Sequence, residues 1–267
     1  MRKNKIVDTM KQPIIPPTGW GSDTLSNFQE TALRNEFATF DNFPEIYGLL
    51  AQIATSTGAC AGYCVRNIPN RPEPSGALLL ASAHSHYLAT ARLVTSGHCL
   101  AGFPSGRAAI EMALYAWYFT IYPDAADRWH NKPTEREPLR AWGNEFKFGT
   151  ILAELAKLHQ PLVGRIKYLH QLSIDFGAHP NTDALYSNMA KFPMPDGGAR
   201  FDLRFLDPWG PVFSHSVKFL IETGLGILEL FVCAEPGAAK ELNMSATLEG
   251  LYTQFQVVRL QLEATMP

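Results

Sequence analysis

Apolar residues along most of this chain recur about every three to four positions, the spacing of amphipathic and buried α-helices. In the stretch 76–122 we predict two long helices separated by a break at 102–105, where glycine, proline and serine fall together. The first helix places His84 and His98 within about 80° of Tyr87 on one face. The second helix, 107–120, is apolar on nearly every side, so we expect its neighbours to bury it.

The same spacing predicts further helices on both sides of this pair. Proline, glycine and small polar residues set their ends. A helix that begins at 45 either stops near 57 or continues through Gly58 to Cys64. The predicted helices are 23–40, 45–57 or 45–64, 139–159, 162–176, 211–233 and 245–264.

One segment departs from the helical pattern. Phe201, Leu203 and Phe205 alternate with Asp202 and Arg204, which is the period of a strand. The fold class that follows is all-α: a multi-helix bundle with one short strand-like insertion near 192–208 that could lie over the bundle as a lid. We predict an extended N-terminal arm at 1–21 and a single helical-bundle domain at 22–267.

Composition narrows the functional classes. The 267 residues are 46% hydrophobic, and the net charge of −2 arises from scattered residues of both signs. No basic stripe indicates nucleic acid as a partner, and no polybasic patch indicates a membrane surface. The apolar run 212–233 contains Lys218, Glu222 and Glu229, which favours a core helix over a membrane span. With few cysteines and no apolar run after the basic first residues, we expect a cytoplasmic protein.

Arg107 and Glu111 are the polar exceptions on the apolar helix and, four residues apart, share one face. A carboxylate among apolar neighbours must be paired or protonated. Two interpretations follow: an ion pair within the helix that closes the bundle, or a polar anchor in a pocket with the pKa of Glu111 tuned by burial. Arg165 leans toward the buried stripe of its own helix, so we expect it to meet Glu111 or an anionic ligand.

The histidines supply the remaining candidates. His84 and His98 lie on the buried stripe of the first long helix. Asp175 and His179 are four residues apart and can meet if the helix continues through Gly177. An acid that orients a histidine is used in general-base catalysis, but we favour the simpler interpretation of a histidine at the end of a helix, where the helix dipole stabilises it.

Metal and cofactor motifs are missing from the sequence. There is no His-Glu-x-x-His, no phosphate-binding glycine loop and no dinucleotide motif. Cys60 and Cys64 could share a helical face, but without further spaced cysteines they fit two buried small residues better than a metal site. We therefore predict neither a metal nor a cofactor.

Two segments carry a family resemblance. Residues 93–98 end a helix near a glycine, and 106–111 follow with the Arg107-x-x-x-Glu111 pair. Together with 168–180, which ends in Ala-His-Pro, they resemble HEPN-like bacterial proteins of unknown function. The resemblance covers residues 76–180 and implies an all-helical fold.

Some HEPN proteins are metal-independent ribonucleases with an Arg-x(4–6)-His motif, so the resemblance also implies that activity as an alternative. Two pairs match formally, Arg165 with His170 and Arg92 with His98. Roughly one match is expected by chance in a chain of this composition. Five residues also place Arg165 and His170 about 140° apart on one helix.

The sequence therefore favours a helical-bundle protein that binds a small ligand or a protein partner at a pocket around Arg107, Glu111, Arg165 and His179. The ligand could be a small molecule or an anion. A third hypothesis is an interaction subunit in which the apolar helix 212–233 forms a homodimer seam. The sequence assigns no reaction to the chain.

Overall fold

The computed structural model describes residues 15–178 and 182–264, and these form twelve α-helices and one β-hairpin. The predicted all-α fold with a short strand insertion is confirmed. The helices are α1 (Thr24–Asn42), α2 (Pro44–Arg66), α3 (Ser75–Thr95), α4 (Cys99–Ile121), α5 (Pro123–His130), α6 (Arg136–Glu145), α7 (Phe148–Leu158), α8 (Gln160–Ser173), α9 (Thr182–Ser187), α10 (Pro211–Ala234), α11 (Pro236–Glu241) and α12 (Met244–Glu263). A 3₁₀ turn, Ile68–Asn70, follows α2, and a π-helical turn, Ile174–Ala178, extends α8.

Two helices far apart in sequence, α4 and α10, form the centre of the bundle. α3 packs antiparallel to α4, and α10 contacts α2, α3, α4, α8 and α12. The largest fully buried side chains include Tyr87 from α3, Trp117 from α4 and Phe231 from α10. As predicted, neighbouring helices bury the apolar second half of α4.

The predicted break at 102–105 is wrong, because α4 runs without interruption from Cys99 to Ile121 with Pro104 inside it. The turn between α3 and α4 comes earlier, at Gly97, whose φ of +95° favours glycine. Gly102 lies within α4 and does not end a helix. A Cβ added there would lie 2.5 Å from Cγ2 of Val94, so this glycine allows α3 and α4 to approach closely.

Pro104 changes the backbone hydrogen bonding one turn earlier in α4. Proline has no amide hydrogen, so the carbonyl of Leu100 receives no helical hydrogen bond from position 104. Gly177, in the π-helical turn, packs against that carbonyl: a Cβ added to Gly177 would lie 2.5 Å from the oxygen of Leu100. The end of α8 and the start of α4 are thereby held in direct backbone contact.

Most side chains of α10 are buried inside the one chain. Gly224 lets α10 approach α2 and α3, since a Cβ there would meet Ile53 and Tyr87 at under 3 Å. The predicted helix 211–233 is therefore confirmed as a core helix. The homodimer seam proposed on this helix is wrong, because its apolar residues already pack against other helices of the same chain.

The second helix, α2, continues through Gly58 to Arg66. Cys60 and Cys64 are both buried and free, as expected for small core residues. The Sγ of Cys60 lies 3.5 Å from the Sδ of Met244. Burial raises the pKa of Cys60 to about 12 and that of Cys64 to about 11, so both thiols stay protonated at neutral pH.

The β-hairpin consists of β1 (Met189–Pro193) and β2 (Ala199–Leu203), paired antiparallel with Lys191 opposite Phe201. It begins three residues before the predicted insertion, and Phe205 lies beyond its end. Phe201 and Leu203 are each 54% exposed. The hairpin therefore does not bury these side chains on the bundle, and the expected lid is not formed.

Of the predicted arm, only residues 15–21 are described, and most of them form a turn before Asp23 caps α1. None of the described helices combines the length and the apolar character that crossing a membrane requires.

Candidate functional site

The polar residues predicted from the sequence separate into two clusters on opposite sides of α8. The Glu111 cluster consists of Arg107 and Glu111 on α4 and His170 on α8. The Glu229 cluster consists of Arg165 on α8, Glu229 on α10 and Tyr252 on α12. The single pocket expected around Arg107, Glu111 and Arg165 is therefore not formed.

In the Glu111 cluster, one carboxylate oxygen receives two donors. Nε of Arg107 donates to Oε1 of Glu111 at 2.7 Å, and Nε2 of His170 lies 3.0 Å from the same oxygen. The ring of Phe148 stacks on the His170 imidazole with 3.6 Å between centroids. These contacts join α4, the start of α7 and α8, which agrees with the interpretation of an ion pair that closes the bundle.

The pKa of Glu111 reflects opposing causes. Burial raises the pKa, but hydrogen bonds from His170 and Arg107, with their charges, outweigh it and hold the pKa below its ordinary value of 4.5. Glu111 is therefore ionised at neutral pH, and its charge is balanced within the protein. The phenol of Tyr115, one turn further along α4, donates to the backbone carbonyl of Phe146.

In the Glu229 cluster, the two donors bind different oxygens. Nη1 of Arg165 donates to Oε2 of Glu229 at 2.9 Å, and the hydroxyl of Tyr252 donates to Oε1 at 2.7 Å. The Arg165 guanidinium also lies over the Tyr252 ring, 4.9 Å from its centroid. Burial raises the pKa of Glu229 above its ordinary value, although the charge and hydrogen bond of Arg165 act in the opposite direction.

The expected pairing of Arg165 with Glu111 is wrong because of the direction of the side chains on α8. Residues 165 and 170 lie about 140° apart around the helix. Arg165 therefore points toward α10 and α12, and His170 points toward α4. The alternative expectation, that Arg165 meets an anionic ligand, remains a prediction.

A cavity of about 450 Å³ opens beside the Glu229 cluster. Its walls include Leu158, Leu162, Val232 and Leu248, and its polar lining includes His159, Arg165 and Glu229. This volume lies within the range of small-molecule sites, and apolar walls with a few polar groups are typical of them.

Cys233 also lines this cavity. Burial, with a smaller contribution from the charge of Glu229, raises the pKa of Cys233 to about 11. Its thiol is therefore protonated at neutral pH and is a poor nucleophile. The cavity has the character of a binding site more than that of a site for covalent catalysis.

A second cavity of about 490 Å³ lies beside the start of α1. Its one charged lining residue, Asp23, already accepts the amides of Leu25 and Ser26 as the helix cap. Its other lining side chains are mostly short and polar. The cavity at the Glu229 cluster, with an arginine and apolar walls, is the better candidate for a ligand.

Glu222, nearly two turns before Glu229 on α10, is a further half-buried carboxylate. Its Oε2 is buried and lacks a hydrogen-bond partner among the described residues. Burial raises its pKa, while Lys218, Arg165 and Arg259 lower it by their charge. α10 therefore carries two carboxylates of raised pKa toward α8 and α12.

The prediction that His84 and His98 share one face of the first long helix is wrong, because α3 ends at Thr95 and His98 directly precedes α4. Nδ1 of His84 lies 2.9 Å from Oγ1 of Thr57, and Nδ1 of His98 lies 2.9 Å from Oγ of Ser96. Burial lowers the pKa of both histidines, so both favour the neutral form. Each is a polar group satisfied locally, and the structure brings neither to the Glu111 or the Glu229 cluster.

Asp175 lies in the π-helical turn and accepts a hydrogen bond from Nε2 of Gln171 at 2.8 Å. His179 lies outside the described residues, so the predicted pairing of Asp175 with His179 stays a prediction. Within the described ranges, 15–178 and 182–264, no group of three or more histidine, cysteine, aspartate or glutamate side chains could hold a metal ion.

Sequence reasoning missed Glu229, His170 and Tyr252 as members of these clusters. His170 follows Ile166 by four residues, about 40° around α8, so it borders the buried stripe. This signal was available from the sequence. Tyr252 had no comparable signal, because its contact with Glu229 depends on how α12 packs on α10.

Comparisons with known proteins do not assign this chain to a family. No protein-family model matches the chain, and neither a curated protein nor a solved structure does. The resemblance to HEPN-like proteins stays a prediction.

Proposed function

We propose that this chain binds a small organic carboxylate with an apolar body in the cavity beside the Glu229 cluster. The observation that carries the proposal is Arg165 in the lining of a 450 Å³ cavity with apolar walls. An arginine beside apolar surface suits a ligand with one anionic end and one hydrocarbon end.

Arg165 has donors to spare. A guanidinium carries five N–H groups, and among the described contacts only Nη1 donates, to Glu229. The guanidinium carbon lies 4.9 Å from the centroid of the Tyr252 ring, and the side chain remains 34% exposed. The remaining N–H groups can donate to a ligand carboxylate in the paired geometry that arginine favours.

Glu229 sets the pH dependence of this binding. Its raised pKa means that burial disfavours its charged form. A ligand carboxylate beside Arg165 would disfavour that charge further, so binding is coupled to proton uptake by Glu229. We therefore expect affinity to rise as the pH is lowered from 8 toward the pKa of Glu229.

The test is isothermal titration calorimetry with small carboxylates such as hexanoate and benzoate, each compared with its neutral amide. We expect dissociation constants on the order of 0.1–1 mM for the acids and at least tenfold weaker binding of the amides. Arg165→Gln should weaken carboxylate binding about tenfold or more. Arg107→Gln, the matched arginine of the Glu111 cluster, should leave it unchanged.

Two results would contradict the proposal: acids and amides that bind equally, or Arg165→Gln and Arg107→Gln with the same effect. The first result would show that binding does not depend on an anionic group of the ligand. The second would show that the ligand does not bind in the cavity beside Arg165.

Ribonuclease activity, the alternative implied by the family resemblance, has less support. Arg165 and His170 bind different carboxylates on opposite sides of α8. In the other formal pair, Arg92 lies near Glu36 at 3.9 Å, and His98 bonds to Ser96. In neither pair do the arginine and histidine side chains bind the same group in these contacts, since Ser96 reaches Arg92 only at its backbone carbonyl.

A cytoplasmic location is part of the same proposal. Its support is that all four cysteines are free and three of them are buried. Unpaired cysteines are typical of proteins in reducing compartments.

A further inference from the structure

We propose that two copies of this chain associate through the free edge of β2, as antiparallel strands related by a two-fold axis at Phe201. This inference is independent of the ligand proposed above. It rests on the exposure of the hairpin, on the direction of its backbone groups and on the order of its charges.

The hairpin leaves apolar surface uncovered. An isolated two-stranded hairpin is at best marginally stable in water and needs a further strand or a packed face. Here Phe192, Phe201 and Leu203 are exposed on the hairpin itself. Leu185, Tyr186, Met194 and Phe205 are exposed next to it. Large apolar side chains concentrated on one projecting element indicate an interaction surface.

The backbone register shows which edge is open. The amide of Met194 donates to Gly198, and the amide of Arg204 donates to Asn188, both at 2.9 Å. Hydrogen-bonded pairs alternate along antiparallel strands. Residues 190, 192, 200 and 202 therefore direct their backbone groups between β1 and β2, and 199, 201 and 203 direct theirs to the outer edge of β2.

The outer edge of β1 is protected. Its outward-directed residues are 189, 191 and 193, and Pro193 has no amide hydrogen to donate. Proline is a common way to block an edge strand. On β2, by contrast, Ala199, Phe201 and Leu203 each keep an outward donor and acceptor.

The charges on β2 are self-complementary about Phe201. In an antiparallel pair centred there, Arg200 of one copy lies opposite Asp202 of the other, and the reverse contact repeats it. Within one copy, Nε of Arg200 lies 2.9 Å from Oδ1 of Asp202. The two positions opposite each other would form non-hydrogen-bonded pairs, in which Cα atoms approach to about 4.5 Å and side chains interact most closely.

The same pairing aligns the apolar side chains. Phe201 of each copy meets its equivalent, and Leu203 lies opposite Ala199. Met189 pairs with Leu203 in the hairpin and shares that face. The result is a four-stranded sheet in which one face carries Met189, Phe201 and Leu203 of both copies, with Lys191 beside Phe201. Because the contact is small, we expect a dissociation constant on the order of 10–100 μM.

Sedimentation equilibrium of the full chain between about 1 μM and 1 mM tests the association. We expect wild type to pass from monomer to dimer in this range. Arg200→Asp or Asp202→Arg alone places like charges opposite each other at two positions and should weaken association about tenfold or more. The double variant R200D/D202R should return to within about threefold of wild type.

The matched control is Arg34→Asp, which changes a comparably exposed ion pair on α1 and should not affect association. Far-UV circular dichroism should show unchanged helix content in every variant, because the hairpin lies outside the core. A wild-type chain that stays monomeric, or a double variant that does not recover, would overturn the proposal.

A cysteine cross-link tests the register. In a Cys233→Ser background, Arg200→Cys and Asp202→Cys chains are mixed and oxidised. Residues 200 and 202 of opposite copies lie within the Cα range of a disulfide, whereas identical positions lie diagonally at about 7 Å or more. We expect covalent dimer only in the mixture. Equal cross-linking of either variant alone would exclude a two-fold axis at Phe201.

Discussion

The Glu111 and Glu229 clusters each join an arginine to a glutamate, at 2.7 Å and 2.9 Å. The pKa values of the two carboxylates nevertheless shift in opposite directions from the ordinary value. The pKa of Glu111 is lowered, and that of Glu229 is raised. The difference lies in the second donor. Glu111 receives the imidazole of His170, which can carry charge, whereas Glu229 receives the neutral hydroxyl of Tyr252.

The surroundings of the two arginine–glutamate pairs also differ. In the Glu111 cluster, Phe148 stacks on His170 and the contacts link three helices, while the Glu229 cluster lines a cavity. An arginine–carboxylate pair on an apolar helix therefore does not by itself indicate a binding site. The charge balance of the pair and the space beside it distinguish a structural contact from a candidate site.

Glu111→Gln should destabilise the protein more than any other single change in the two clusters. Arg107 and His170 would lose their charged acceptor, and we expect the free energy of unfolding at pH 7 to fall by about 1–2 kcal/mol. The measurement is urea denaturation. Glu30→Gln removes an exposed pair of the same i,i+4 type on α1 and should cost at most about 0.5 kcal/mol.

The pH dependence of the same variant has a defined sign. Because folding lowers the pKa of Glu111, its stabilisation is present above the ordinary value of 4.5 and is lost as the pH falls through the folded value. The difference between wild type and Glu111→Gln should therefore shrink in acid. A difference that is constant down to about pH 3 would show that the charge of Glu111 contributes nothing.

Glu229→Gln should have a smaller effect of opposite sign. Folding raises the pKa of Glu229, so wild type loses stability as the pH rises from the ordinary value of 4.5 through the folded value. The glutamine variant avoids this loss, and we expect a gain of less than about 1 kcal/mol at pH 8 that disappears below pH 4.5. A loss as large as that of Glu111→Gln would remove the contrast between the clusters.

Tyr252→Phe should have the smallest effect. It removes a neutral donor from Glu229 but keeps the ring beneath Arg165, so we expect a loss of about 0.5 kcal/mol in thermal unfolding. The pKa of Glu229, followed by carboxyl NMR, should rise further. If that pKa does not change, the hydroxyl is not what separates Glu229 from Glu111.

Local patterns predicted much of the fold. The helix 211–233 was recognised because a proline begins it and apolar residues continue on several faces; the structure gives Pro211–Ala234. The Arg107–Glu111 pair was predictable because both residues lie on one helix. The prediction of a break at 102–105 was wrong because glycine and proline near the start of a helix can allow close packing as readily as they end a helix.

Contacts between distant helices were not predictable in the same way. Glu111 and His170 lie 59 residues apart in sequence, and Arg165 and Glu229 lie 64 apart. Which of two histidine or arginine side chains reaches a carboxylate depends on the rotation of α8 between α4 and α10. A single sequence gives the face of a helix but not which neighbour lies against it.

The late position of α10 has a consequence for synthesis of the chain. α4 is complete at residue 121, but its main distant partner ends only at residue 234. At ~5–20 residues per second, the ribosome needs on the order of ten seconds to cover that interval. Until α10 is made, the nascent chain carries an apolar helix without its main distant partner, and we expect chaperones that bind exposed hydrophobic segments to recognise this intermediate.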